Sequence, residues 1–373
     1  MPAILKPLEH VINLSFKSGF IHNILKLSKI IPIYKSDNKQ SFNNYRPISL
    51  LSPIAKLIEK IVAHQVTDFC NINNLFSRFQ FGFRKKHNTI QPLMLYTKFI
   101  YDSFNINPSK FVLSIFIDLK KAFDTVRFDL LLSKLEHIGF EGIELSWFKN
   151  YLYNRSQITS INGVNSSNRV VQMGVPQGSV LGPLLFLIFI NDLPNCSEFN
   201  TLLFADDTTL QLASDDINTL FSRANYNLKK IETWFSTNRL TINAKKTKYI
   251  LYSPHKNFPT PCNLLFAGSL IEQIGPNFND KSFKFLGLNV DENLNWEHHC
   301  LITSTKINNS IYALNQTKNF LPISARKHIY NSLITSRLRY GSVIFGGAPN
   351  IYLQRLIKQQ KKAIRHLSNK PSK

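Results

Sequence analysis

Two stretches of this chain place carboxylates at the ends of apolar runs. In TLLFADDTTLQL, residues 201–212, Asp206 and Asp207 stand side by side between β-rich segments, so the stretch reads as a hairpin with two like charges at its tip. Turn chemistry explains such a pair, because Asp hydrogen-bonds its own backbone. A divalent cation explains it too, and requires a further carboxylate elsewhere. Asp118 qualifies: it ends the apolar run FVLSIFI, residues 111–117, which has the character of a strand buried on both faces. Alone, Asp118 could equally cap the next helix. If the two strands are neighbours, Asp118, Asp206 and Asp207 converge at one sheet edge, where their repulsion is costly without cations between them. Two Mg²⁺ ions about 4 Å apart on such carboxylates would activate an attacking oxygen and neutralise the leaving group of an in-line phosphoryl displacement. That chemistry is nucleotidyl transfer.

The elements that must position these groups follow a mixed α/β pattern, with no internal repeat or low-complexity tract. Residues 29–35, KIIPIYK, read as a short strand, and a period near 3.6 predicts a helix from Pro53 to Phe69 with Ile54, Leu57, Ile58, Ile61 and Val62 on one face. A second helix covers Gln91 to Ser103. Beyond Asp118, helical segments run over Leu130–Ile138 and about Glu144–Tyr151, followed by a hairpin at Gln157–Val171 that turns at Asn162-Gly163. The loop MGVPQGS, residues 173–179, then feeds an apolar helix. Asp216–Thr237 reads as an amphipathic helix with Leu220, Asn227, Leu228, Ile231 and Phe235 near one face, and strands follow at Lys248–Tyr252 and Phe283–Val290. From about Asn295 the pattern is helical and basic, a separate C-terminal unit. There Leu353, Leu356, Ile357, Ile364 and Leu367 make an apolar stripe, with Arg355, Lys358, Lys361, Lys362 and Arg365 on other faces.

With 373 residues, 43% hydrophobic and 12% aromatic, the chain can bury a large core over two or three subdomains. Its 45 Lys and Arg against 23 Asp and Glu give a formal charge of +22, so a polyanion is the expected partner, nucleic acid ahead of a membrane surface. Cys70, Cys196, Cys262 and Cys300 lie far apart, which argues against a zinc ribbon or disulfide framework and fits a reducing compartment. The string His298-His299-Cys300 has no partner cluster nearby. No secretory signal is evident. The longest apolar stretch, Val180–Ile190, is too short to span a bilayer and contains Gly182 and Pro183. The expectation is an intracellular protein, nuclear or cytoplasmic, with no membrane partner.

FIDLKKAFDTV, GVPQGSVLGPLLFLIFINDLP and FADD resemble, in order and character, motifs A, B and C of reverse transcriptases, specifically those of non-LTR retrotransposons of the LINE-type, jockey-like group. KIIPIYKSDNKQSFNNYRPISLLSPIAKLIEKIV and QFGFRKKHNT are similar to that family's fingers motifs, LTINAKKTKYILY to motif D, FKFLGLNVDENLNW to motif E, and SRLRYGSVIFGG with QQKKAIRHL to its thumb-like region. The resemblance covers nearly the whole chain. It implies an α/β (α+β) polymerase right hand, with an N-terminal remnant at 1–19, fingers at 20–108, a palm of antiparallel sheet and helices at 109–292, and a partial helical thumb at 293–373. It further implies an RNA-directed DNA polymerase that adds dNTPs to a primer 3′-hydroxyl with two Mg²⁺ ions, Mn²⁺ serving as a substitute, on an RNA template with a DNA primer or RNA–DNA hybrid.

Site roles follow from the same resemblance. Asp118 and Asp206 match the principal metal ligands, and Asp207 the weaker third. Phe123 stands where the family carries the aromatic under the incoming sugar, so that a 2′-hydroxyl would clash. Gln177 and Gly178 resemble the motif B pair that contacts nucleotide and template; Gly174 and Gly178 also permit close backbone approach. Lys35 and Arg46 resemble the basic residues that grip the triphosphate. Lys246 aligns with the lysine proposed as proton donor to pyrophosphate, with Lys245 and Lys248 close by. Arg84, with Lys85, Lys86, Phe81 and Phe83, suits backbone neutralisation and base stacking, while Phe285, Leu286 and Gly287 match the hairpin supporting the primer end. Asp124 reads as structural, in a turn or helix start.

The chain departs from the family's full-length pattern: fewer than 30 residues precede the fingers motifs, no endonuclease domain is seen, and Phe345 stands where a tryptophan is expected. The expectation is a fragment truncated within the thumb. The alternative function is a nucleic-acid-binding remnant without polymerase activity. A group II intron maturase would carry a splicing domain after the thumb, and Gly-Asp-Asp with room for a 2′-hydroxyl would mark an RNA-dependent RNA polymerase.

Overall fold

The computed structural model describes residues 2–36, 38–253 and 263–368. Its central element is the strand Phe111–Ile117, which pairs antiparallel with Asp207–Ser214 on one side and Lys248–Tyr252 on the other. The sheet is completed by Asn200–Phe204 beyond the first and Glu272–Gln273 beyond the second. A strand in mid-sheet with helices over both faces has no polar side, which is why FVLSIFI reads as a continuous apolar run. Its side chains alternate between two cores. Leu113, Ile115 and Ile117 pack with Phe186, Ile188 and Ile231 of the helices Leu181–Ile190 and Ile217–Thr237. Val112 and Phe116 face the opposite way, toward Tyr96 and Ile100 of the helix Ile90–Ile106 and toward Phe285 and Leu288.

A second sheet joins Tyr45–Leu50, Leu27–Tyr34 and Ser156–Ile161, the first pair antiparallel and the second parallel. The Ser156–Ile161 strand turns at Asn162-Gly163, both at positive φ, into Val164–Asn165, as that dipeptide predicts. The contiguous division expected from the sequence puts residues 27–50 and 156–161 in different units; their strands pair in one sheet.

Three expectations are corrected. Phe283–Val290 is not one strand but a tight hairpin, Phe283–Phe285 with Leu288–Val290, because Leu286 and Gly287 both take positive φ. The helix Pro53–Ile72 buries Ala55, Ile58, Val62, Val66 and Cys70, while Ile54 and Leu57 are exposed, so its inward face is rotated from the expected one. In the last helix, Asn350–Leu367, Leu356 and Ala363 are buried and Ile357 and Ile364 exposed, so the stripe is narrower than expected. That helix packs on Glu297–Gln316, and buried Arg326 donates to the carbonyls of His366 and Leu367 at its C-terminal end. Among the described residues no helix is long and apolar enough to cross a membrane. Cys262 lies outside the described residues.

Candidate active site

Register brings the carboxylates together. Ile117 pairs with Thr208, and Phe204 pairs with Asp207 across the two-residue turn Ala205-Asp206. Asp118, one residue past Ile117, therefore stands beside Asp207 at the same edge. Ala205 holds φ at 57°, a left-handed conformation that a residue with a Cβ rarely adopts and that here sets the direction of Asp206.

Asp118 is fixed from a third segment. Leu119 bridges to Ile242, the Lys120 N–H donates to the Thr241 carbonyl at 2.8 Å, and the Asn243 N–H donates to the Asp118 carbonyl at 2.8 Å. The Asn243 side-chain Nδ2 donates to Asp118 Oδ2 at 2.7 Å, and the Asp118 N–H donates to Thr247 Oγ1 at 3.4 Å. Asn243 was not singled out in the sequence. Its only signal there is a polar amide between the apolar Ile242 and a run of lysines.

The electrostatics are those of crowded anions. The Asp207 carboxyl is pushed up to about 6, first by loss of hydration and then by the charges of Asp206 and Asp118, although the residue as a whole is exposed. Asp206 is also raised: loss of hydration leads, its own N–H opposes, Asp118 adds to the rise, and Lys35 and Arg46 oppose it. The charges of Lys35, just past the strand Leu27–Tyr34, and of Arg46, within Tyr45–Leu50, thus act on the carboxylate edge. A cleft of about 330 Å³ opens there, lined by Asp118, Asp207, Lys245, Lys246, Phe285 and Leu286 among others. Lys248 also borders it but is occupied by Glu272 and, at 3.3 Å, by Asp280, whereas Lys245, Lys246 and Lys284 of the same wall have no ion pair among the described residues.

The MGVPQGS loop sits on the other flank. Val175 N–H donates to the Phe123 carbonyl at 2.8 Å and Gly174 N–H to Val126 at 2.7 Å. A Cβ on Gly174, at φ 88°, would lie 2.6 Å from the Asp124 oxygen; on Gly178, at φ 109°, it would lie 2.8 Å from the Ser49 oxygen. The close approach at both glycines is to protein backbone. Gln177 Nε2 donates to Asp124 Oδ1 at 2.9 Å, so Asp124, on the turn Ala122–Asp124, orients Gln177. Burial raises the Asp124 carboxyl, with Gln177 and Lys121 opposing. The Phe123 ring packs 4.6 Å from that of Phe186 and remains partly exposed.

Other expected residues are engaged within the protein. Arg84 donates to the carbonyls of Ser77 and Gln80 at 3.0 and 3.2 Å and lies over Phe76, so its guanidinium shapes its own loop. Phe81 is core, whereas Phe83 is 62% exposed and Lys85 and Lys86 are exposed. Phe285 is buried against Tyr96 and Phe116, while Gly287 abuts the Tyr340 ring. His299 is buried and its pKa falls to about 4, chiefly from loss of hydration.

A strand end and a hairpin tip thus bring three carboxylates to one sheet edge, with Lys245 and Lys246 on the cleft wall and the charges of Lys35 and Arg46 acting on Asp206. Residues 33–290 match the family model described as reverse transcriptase (RNA-dependent DNA polymerase), and the chain belongs to that family. Its mixed α/β sheets and helices accordingly form a polymerase right hand. The chain is 28% identical over 373 residues to the probable RNA-directed DNA polymerase from transposon BS of Drosophila melanogaster, covering 97% of this chain and 40% of that protein. It is 26% identical over 366 residues to the RNA-directed DNA polymerase from mobile element jockey of the same organism, covering 95% and 39%. It therefore spans about 40% of the length of these curated relatives. Among solved structures, an apo telomerase from Candida tropicalis, truncated from its C-terminal domain, aligns at 12% identity with a TM-score of 0.48, covering 73% of this chain and 54% of that one.

Proposed function

We propose that this chain performs RNA-directed DNA synthesis for a non-LTR mobile element, adding dNTPs to a primer 3′-hydroxyl. The observation that carries this reading is the meeting of Asp118 with Asp206 and Asp207 at one sheet edge. Their fit to divalent cations rests on that convergence of oxygen ligands at one edge, and the Asp206 and Asp207 carboxyls are raised there first by loss of hydration and then by neighbouring carboxylate charge. Among the described residues no group of three or more ligating side chains closes on an ion by itself. Mg²⁺ sites combine one or two carboxylates with waters and substrate phosphates. Asp118 and Asp206 would hold two Mg²⁺ ions, or Mn²⁺ in their place, with Asp207 contributing more weakly. When bound, the ions activate the attacking hydroxyl and neutralise the departing pyrophosphate.

The remaining roles belong to the protein. Lys35 and Arg46 receive the triphosphate; Lys246 lies in the cleft to protonate the leaving group. Phe123 closes the space beneath the sugar and so selects deoxynucleotides. Gln177, held by Asp124, and Gly178 orient the nucleotide against the template. The Phe285–Gly287 hairpin backs the primer end, and Arg84 holds the loop that offers Phe83, Lys85 and Lys86 to RNA template or hybrid. Fingers at 20–108 take in the ribbon at 156–170, the rest of 109–292 forms the palm, and helices from 293 form the thumb. An intracellular setting, nuclear or cytoplasmic, goes with this role. The test is dTTP incorporation on poly(rA)/oligo(dT) with Mg²⁺, comparing the chain with Asp206→Asn. Incorporation by the parent that the variant loses supports the reading; equal activity, or none in either, defeats it.

A further inference from the structure

The turn that carries Asp206 is held from outside its own hairpin. The loop at residues 77–84 runs beside the strand Asn200–Phe204: Leu203 N–H donates to the Phe79 carbonyl and Phe81 N–H to the Leu203 carbonyl, both at 2.9 Å, with Gln80 bridged to Leu203 in parallel. Gln80 is fully buried there. Its Oε1 accepts from the Ala205 N–H at 3.1 Å and from the Gly82 N–H at 2.8 Å, so one side-chain oxygen ties the loop to the first residue of the catalytic turn. Gly82 permits this closeness, since a Cβ there would collide with the Ala205 nitrogen and stand 2.9 Å from the Phe204 carbonyl carbon. The loop is itself braced: Asn191 accepts from Ser77 N–H and donates to the Leu75 carbonyl, each at 2.7 Å, and Arg84 closes it from the other end.

We infer that Gln80 is a positioning residue for catalysis: its side-chain oxygen holds Ala205 in the left-handed conformation that aims Asp206 at the metal-binding edge. Two further observations favour a role in the site over ordinary packing. Ala205 is a non-glycine residue at φ 57°, a conformation that persists only where surrounding contacts impose it. Among the described residues Gln80 Nε2 is buried without a partner, a cost that an apolar side chain of the same shape would avoid, but an apolar side chain could not receive the two backbone N–H groups. Gln80 touches neither carboxylate and acts through the backbone that precedes one of them.

This inference rests on the metal-site reading above, and its test separates the two. Single-nucleotide incorporation and calorimetric Mn²⁺ binding are measured for the parent chain, Gln80→Met, Gln80→Glu and Asp206→Asn, each shown folded at the assay temperature by circular dichroism. Gln80→Met is expected to lower kcat and Mn²⁺ affinity by roughly 10- to 100-fold, the range typical when a residue supporting a metal ligand is removed. The dNTP KM should stay within about threefold, because the interaction lost is not one made to the nucleotide. Gln80→Glu, which keeps an acceptor for both N–H groups, should recover most of kcat. If Gln80→Met does not fold, Gln80→Asn, whose amide is too short to reach both donors, is read the same way. Unchanged kcat and Mn²⁺ affinity with only a lower melting temperature overturn the inference while the metal site stands. Equal Mn²⁺ binding by the parent and Asp206→Asn overturns both.

Discussion

Asp118 ends a strand of seven residues paired on both sides, whereas Asp206 sits in a two-residue turn with no ladder partner of its own. The first inherits its position from the sheet and needs only its carboxyl orientation fixed, which Asn243 does through one side-chain bond of 2.7 Å. The second needs its backbone fixed, and that falls to the loop through Gln80 and Gly82. A carboxylate at a strand end is therefore vulnerable through a neighbour's side chain, and one in a turn through a neighbour's backbone. Damage on the first side should appear in metal use with little change in stability; damage on the second should appear in both.

The largest break should come from Gly82→Ala, which drives a Cβ into the backbone of Phe204 and Ala205. Overpacking against backbone that cannot yield should cost about 3 kcal/mol or more, read by urea denaturation. An undiminished midpoint would show that the loop does not grip the turn. On the other side, Asn243→Ala should leave the melting temperature almost unmoved, lower kcat roughly 10- to 100-fold and raise the Mg²⁺ needed for half-maximal rate. An Mg²⁺ dependence identical to the parent's would remove Asn243 from the account.

Asp207 tests the crowding that the two sides share. Its folded pKa of about 6 lies above the ordinary 3.8, so folding favours its protonated form. The stability that this proton gives is full below about pH 4 and lost as pH rises through about 6. In EDTA at pH 7.5, Asp207→Asn should therefore raise the melting temperature by about 1–2 °C, a figure reduced for a carboxyl still in contact with water. The gain should vanish below pH 4, and a gain that persists there would need another cause. For the parent, incorporation should climb as pH rises through about 6, since cation binding competes with the proton. The smallest effect belongs to Thr247→Val. Thr247 meets the Asp118 N–H only at 3.4 Å, so its loss should cost no more than about 0.5 kcal/mol of stability and at most about twofold in kcat.

The same contrast explains what the sequence disclosed. The strand Phe111–Ile117 and its terminal Asp118 were legible because double burial leaves an unbroken apolar run, and the Asp206-Asp207 tip because two β-rich segments bracket it. Asn162-Gly163 was legible because that dipeptide accepts positive φ. The hairpin within Phe283–Val290 was implied by the family resemblance at Phe285–Gly287 but not by the residue pattern, because Leu286 takes a positive φ that its side chain does not favour. Asn243 and Gln80 escaped notice because their partners each lie 125 positions away along the chain, and the structural reading of Asp124 gave no sign of Gln177, 53 positions on. Lys248 looked interchangeable with Lys246 until Glu272 and Asp280 were seen to hold it.

The central claim is that Asp118 and Asp206 act as one metal-dependent pair. Single-turnover dTTP incorporation on poly(rA)/oligo(dT) at saturating Mg²⁺, with parent, Asp118→Asn, Asp206→Asn and the double variant, tests it most directly. Each single variant should lose about a thousandfold or more, and the double variant should lose scarcely more than either, as groups acting as a unit do. A single variant that retains the parent rate, or two losses that simply multiply in the double, would contradict it.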